Sequence, residues 1–153
     1  VRTVKALLNV LEHDAREETS AQKRRLALVE RQVEAVKSNK SVELEAALAD
    51  LEHELEAQGP RDLRRLQALV ELARHWSCDA RALTLGSVSE RAGDEGRKLG
   101  SLRGELREAT SAVLRENRRL AALVRVHRQL VEEVLAGVAA GAGDGGRLVD
   151  AEA

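Results

Sequence analysis

The chain has 153 residues with 25 Lys and Arg against 26 Asp and Glu, and its hydrophobic share of 43% comes almost entirely from Leu, Ala and Val, with one Trp, one Cys and no Phe, Tyr or Met. Such a chain fits one domain or at most two, and its Ala, Leu, Glu and Arg favour helix while strand formers are scarce, which excludes a sandwich, a barrel or an aromatic-lined site. A net charge of −1 with both signs interspersed gives no global pull toward nucleic acid or an anionic membrane.

The first helix is expected over about residues 3–37, where Leu7, Leu8, Leu11 and Ala15, then Leu26, Val29, Val33 and Val36, follow helical spacing. Between them Asp14 to Arg25 holds only Ala15 and Ala21 as apolar residues, so this stretch should be helical but weakly buried and prone to stick out. The Ser38-Asn39-Lys40-Ser41 cluster ends the helix, with Ser41 positioned to cap the next. That second helix, about 42–58, carries Leu44, Leu48, Leu51 and Leu55 at 4, 3, 4 spacing, a heptad seam of two repeats.

Gly59-Pro60 is the sharpest break. Gly suits a left-handed cap and Pro the first turn of a following helix, about 61–77; alternatively 42–77 is one helix kinked at Pro60. Residues 77–93 read as a connection with one short helical turn, for which Thr84 competes as N-cap with a Ser87/Glu90 capping box. The last helix is expected over about 94–136, roughly 65 Å at 1.5 Å per residue. Gly96, Gly100 and Gly104 form a small-residue face near its start, suited to a close backbone crossing or to softening the first turns. From Gly137 the Gly/Ala-rich residues 137–153 are expected to form a flexible tail. The expected fold is therefore all-α: residues 1–136 as an elongated antiparallel bundle of three to four long helices with coiled-coil-like packing, followed by a disordered C-terminal tail.

Chemistry is nearly absent from the pattern. Asp50 with His53 and His75 with Cys78 each stand three apart on a helix, but a metal site in a bundle needs such pairs converging from several helices. Cys78 beside His75 lacks an orienting third group, and no glycine-rich phosphate loop follows a strand. No catalytic, cofactor-binding or metal-binding residue is assigned, and the protein is expected not to be an enzyme. Arg115, Arg118, Arg119, Arg125 and Arg128 against Glu116 make a local basic run without interleaved aromatics, which suits a solvated face or an acidic protein partner better than nucleic acid. No uncharged stretch approaches a membrane span, and the expected location is the cytoplasm. The remaining signal is apolar excess in residues 120–135, which marks either a better-buried half of the bundle or a docking surface for another amphipathic helix.

The layout of the final two thirds resembles the FlgN-type flagellar export chaperones. The resemblance rests on the Leu63 to Trp76 helix, the connection from Ala82 through Leu83, Thr84 and Leu85 to Arg91, and the helix from Leu99 to Leu135 with Asn117 ahead of Leu120-Ala121-Ala122-Leu123-Val124. It implies an all-α cytosolic chaperone of type III secretion that holds the amphipathic terminal helices of hook-filament junction proteins of the FlgK and FlgL type, with the export apparatus as a further partner. The partner-binding residues it implies are Val113, Leu120, Leu123, Val124, Leu130, Val131 and Val134, with arginines at the rim. The chain departs from the family in carrying Leu120 where a second Asn is common, and in lacking Tyr and Phe for any aromatic contact with the export gate. The competing expectation is a non-enzymatic scaffold that self-associates through Leu44, Leu48, Leu51 and Leu55.

Overall fold

Thr3 starts the first helix by accepting a hydrogen bond from the Ala6 amide, and α1 then runs Val4–Lys37 without interruption. In the computed structural model, which describes the backbone of residues 1–151 and the side chains of residues 1–143, the other long elements are α2 (Ser41–Glu56), α3 (Gln58–His75) and α5 (Arg97–Ala151). A short α4 (Leu85–Ala92) and two 3-10 turns, Ala80–Ala82 and Gly93–Gly96, form the connection between α3 and α5.

Two helices end in the same way. Asn39 and Ser77 take left-handed φ values of 57° and 49° just past the ends of α1 and α3. The amides that follow, of Lys40 and Cys78, reach back to the carbonyls of Ala35 and Ala73 at 2.9 and 3.0 Å, satisfying acceptors that a helix end leaves free. Asn is one of the few side chains that tolerates this conformation at low cost.

The junction of α2 and α3 is a kink of one residue. Ala57 keeps right-handed dihedrals (φ −70°, ψ −9°), so the two helices form a nearly continuous rod. A proline ring clashes with the carbonyl four residues before it, which for Pro60 is that of Glu56, the last residue of α2. Gly59 lies inside the first turn of α3 and does not form a left-handed cap; the break sits three residues upstream of Pro60 for this steric reason. Ser41 is likewise the first residue of α2, and the cap position is held by Lys40 without a side-chain bond. At α4 it is Thr84 that caps, in a reciprocal box with Ser87.

Successive long segments run antiparallel. Arg2 pairs with Glu71, Arg64 with Glu17 and Arg31 with Asp50, so the α2–α3 rod descends alongside the ascending α1. Helix α5 ascends again: Lys98 pairs with Glu12 near its start, and Val124 approaches Ala35 and Val36 at the top of α1. The result is an all-α, up-down-up bundle with α1 and α5 parallel, and α1 packs against α2, α3 and α5. At the base Leu7, Leu8, Leu11, Leu72, Val88 and Leu99 are almost fully buried in one cluster.

Because helices cover α1 on two sides, its polar middle does not stick out. Asp14, Glu18, Gln22 and Arg25 are buried, contrary to the expectation from their sparse apolar neighbours. Burial of charge requires partners, and Glu18 has two: Arg25 at 3.4 Å and Arg61 at 3.3 Å. Gln58 joins this layer by hydrogen bonds to Arg25 and Arg61. Asp14 pairs with Arg65 at 3.4 Å, yet its Oδ1 has no partner among the described residues, and burial outweighs the arginine to raise its pKa above the ordinary range. Glu54 is held below the usual carboxylate range by its hydrogen bonds from Arg24 at 3.0 and 2.9 Å.

The glycines at the start of α5 serve a close crossing. A Cβ on Gly96 would collide with the Ser89 carbonyl, and one on Gly100 would lie 2.7 Å from the Ser89 hydroxyl, while Gly104 faces open space. The Ser89 hydroxyl uses the closeness to donate to the Gly96 carbonyl at 2.7 Å. Gly93, at φ 60° and ψ −128°, supplies the turn that reverses the chain into α5.

Helix α5 has 55 residues, about 82 Å at 1.5 Å per residue. Helical backbone continues through 137–143, in place of the irregular chain expected from Gly137, because alanines and Val138 between the glycines sustain helical propensity. The expectation for the rest of the tail falls on side chains, and on residues 152 and 153, outside those described.

Gly96→Ala should destabilise the bundle by about 1–3 kcal/mol through the collision with Ser89, while Gly104→Ala should be neutral or stabilise by up to about 1 kcal/mol; denaturant unfolding measures both. Glu54 contributes stability that is present above the unfolded carboxylate pKa and lost as pH falls through its lower folded value. Glu54→Gln should therefore cost up to about 1 kcal/mol at pH 7, and the difference from the parent chain should shrink as pH falls below the ordinary carboxylate range in urea titrations.

Candidate functional site

The seam that seats α5 on α1 does not stop where α1 stops. Val113, Leu120, Val124, Val131, Val134 and Val138 recur at intervals of four, three or seven residues, a heptad register that runs in phase from bundle to overhang. Lys37 is the last residue of α1, and Val124, His127 and Arg128 of α5 border a cleft with Ala35 and Val36 of its last turn. From 124 to 143 every residue of α5 is exposed. The overhang beyond Arg128 is thus a single helix, about 35 Å long to Ala151.

At the root of this overhang lies an open groove. One cleft of about 480 Å³ is walled by Ala35 and Val36 of α1, by Leu44 of α2, and by Val124, His127 and Arg128 of α5. A second, of about 450 Å³, continues along α5 past Asn117, Leu120, Ala121 and Arg125, and the two share Val124 and Arg128. The floor is aliphatic and the rim is cationic. Lys40 and Arg128 make only exposed local ion pairs, to Glu43 at 3.4 Å and Glu132 at 3.6 Å, while Arg118 and Arg125 make none among the described residues. Such exposed pairs contribute under about 1 kcal/mol and open easily for a competing carboxylate.

No protein-family model, curated protein or solved structure matches the chain.

The seven residues expected at a partner surface separate into three groups. Val113 is 8% exposed and belongs to the packing of α5 on α1, so it is not available to a partner. Leu120 and Leu123 are half-buried, Leu120 lining the groove. Val124, Leu130, Val131 and Val134 are exposed, at 46–58% for all four. Sequence reasoning missed the opposite wall: Ala35, Val36, Lys40 and Leu44 sit about eighty residues away along the chain, and only the parallel pairing of α1 with α5 brings them to Val124. Asn117, which register or solvation would explain equally well, is exposed and lines the groove.

The α2 seam points mostly outward. Leu44 and Leu51 are half-buried, Leu48 and Leu55 are exposed, and Ala47 alone of α2 is buried. Ala47 faces α1 in place of the leucines, and salt bridges from Glu54 and Asp50 to Arg24 and Arg31 flank that contact.

Outside the groove, the histidines and Cys78 have neighbours within the bundle. His75 Nε2 meets the Arg2 carbonyl at 2.7 Å, and Cys78 is half-buried against the basal core. His13 stands 3.6 Å from Glu17 and His53 4.0 Å from Glu56. Among the described residues no three His, Cys, Asp or Glu side chains converge as metal ligands, and no helix is long and apolar enough to cross a membrane.

Replacing Val113 by Ala should cost about 1–3 kcal/mol of stability because it empties a buried site, whereas Val131→Ala on the overhang should change stability by less than about 0.5 kcal/mol. Thermal unfolding of the two variants separates the core part of the α5 seam from its free part.

Proposed function

We propose that the chain is a non-enzymatic helix-binding protein of the FlgN type, a cytosolic chaperone that covers amphipathic terminal helices of hook-filament junction proteins before their export. The observation that carries this reading is the in-phase continuation of the α5 seam beyond α1 with Val124, Val131 and Val134 exposed. A heptad seam left without its partner helix is a docking face for another helix, and burying the exposed part of each side chain contributes on the order of 1 kcal/mol. The layout of α3, the Thr84-capped connection and α5 supports the family, and the flagellar cargo follows from that resemblance.

The overhang is the place to test it. Leu130→Asp with Val134→Asp leaves the bundle untouched, because both side chains lie beyond α1, yet places charge in the docking face. Co-expression with the hook-filament junction proteins encoded in the same genome should yield a complex with the parent chain and lose at least tenfold of it with the double variant. Equal recovery of both would reject the overhang as the docking surface.

A second reading is favoured by the exposed Leu48 and Leu55 on α2: a scaffold that self-associates through that seam. Sedimentation distinguishes it, since a monomer at 100 µM, about a hundredfold above a typical micromolar dissociation constant, removes the scaffold reading.

A further inference from the structure

The groove at the root of the overhang differs from the overhang itself in charge. Beyond Arg128 the described side chains of α5 include two carboxylates, Glu132 and Glu133, and no cation. Among the residues that line the groove the charged ones are Lys40 on the α1–α2 turn and Arg125 and Arg128 on α5. These cations flank an aliphatic floor of Ala35, Val36, Leu44, Leu120 and Val124, and no acidic residue lines either cleft.

We infer that the groove selects an amphipathic helix of a partner protein whose apolar stripe is flanked by Asp or Glu, with Lys40, Arg125 and Arg128 as the specificity-determining residues. The inference rests on the helix-docking reading and adds the chemistry of the occupant. A helix seated on Val124, which lines both clefts, presents its flanking side chains to Arg125 and Arg128 of α5 on one side and to Lys40 of the α1–α2 turn on the other. Acidic flanks meet guanidinium and ammonium groups there; basic flanks meet like charge, and that repulsion rejects them. Arginine adds geometry to charge, since its planar fork binds a carboxylate through two parallel bonds. The rim pairs that must open, Lys40 with Glu43 and Arg128 with Glu132, are solvent-exposed contacts between residues three or four apart in sequence.

The experiment uses the full chain and two fluorescently labelled helical peptides of identical Leu/Val heptad stripe, one with Glu at the flanking positions and one with Lys, kept at nanomolar concentration to prevent peptide self-association. Anisotropy should show the Glu peptide binding about five- to tenfold more tightly than the Lys peptide at low salt, with the ratio shrinking toward one at 0.5 M salt as screening sets in. Arg125→Glu with Arg128→Glu should reverse the preference; both side chains are exposed, and circular dichroism should show the helix content unchanged. Equal or tighter binding of the Lys peptide overturns the charge selectivity while leaving helix docking in place. No binding of either peptide at 100 µM chain overturns both. A dimer of the chain alone that the double Arg variant dissociates assigns the groove to a second copy and overturns the inference of a foreign acidic helix.

Discussion

Everything in this fold is measured against α1, because the α2–α3 rod on one side and α5 on the other both lie on it. A helix can remain apolar on one stripe only as long as something covers the stripe. Helix α1 has 34 residues and α5 has 55, so coverage ends before the seam does. The mismatch in length, and not any special side chain, creates both the groove and the overhang.

The same central position explains the polar interior. Sandwiched between neighbours, α1 cannot turn Asp14, Glu18 and Arg25 to solvent, and the cross-helix pairs to Arg61 and Arg65 satisfy most of their capacity. Such a layer adds little net stability over an apolar one but penalises every other register strongly, since a slip strands a buried charge. It fixes how the α2–α3 rod sits on α1, and with it the position of Lys40 and Leu44 opposite α5.

Much of this architecture was legible in the residues. Helical periodicity located the first three long helices and the start of α5 to within a few residues, and Ser38 to Lys40 marked a real turn and Pro60 a kink, because local sterics and capping act over four or five residues; the far end of α5 ran well past the expected stop at 136. The exact break at Ala57 follows from a proline acting backward on Glu56, which a forward reading places too late. Burial was harder. The polar run of Asp14 to Arg25 resembles a solvated face until the arginines of α3 are brought against it, and Val113 cannot be told from Val131 by pattern alone, since both occupy the same stripe. The groove wall from α1 and α2 depends on a parallel pairing across the whole chain, which no local signal carries.

The lone tryptophan acquires a use from its position. Trp76 ends α3 at the base, with the Arg91 guanidinium 5.3 Å over its ring and donating to its carbonyl at 3.0 Å, while the groove opens at the far end of α1. Its emission therefore reports whether the base is intact and is blind to what occupies the other end. The molecule carries a built-in optical probe for folding that is spatially separated from its docking end, so loss of structure and loss of a partner register in different channels.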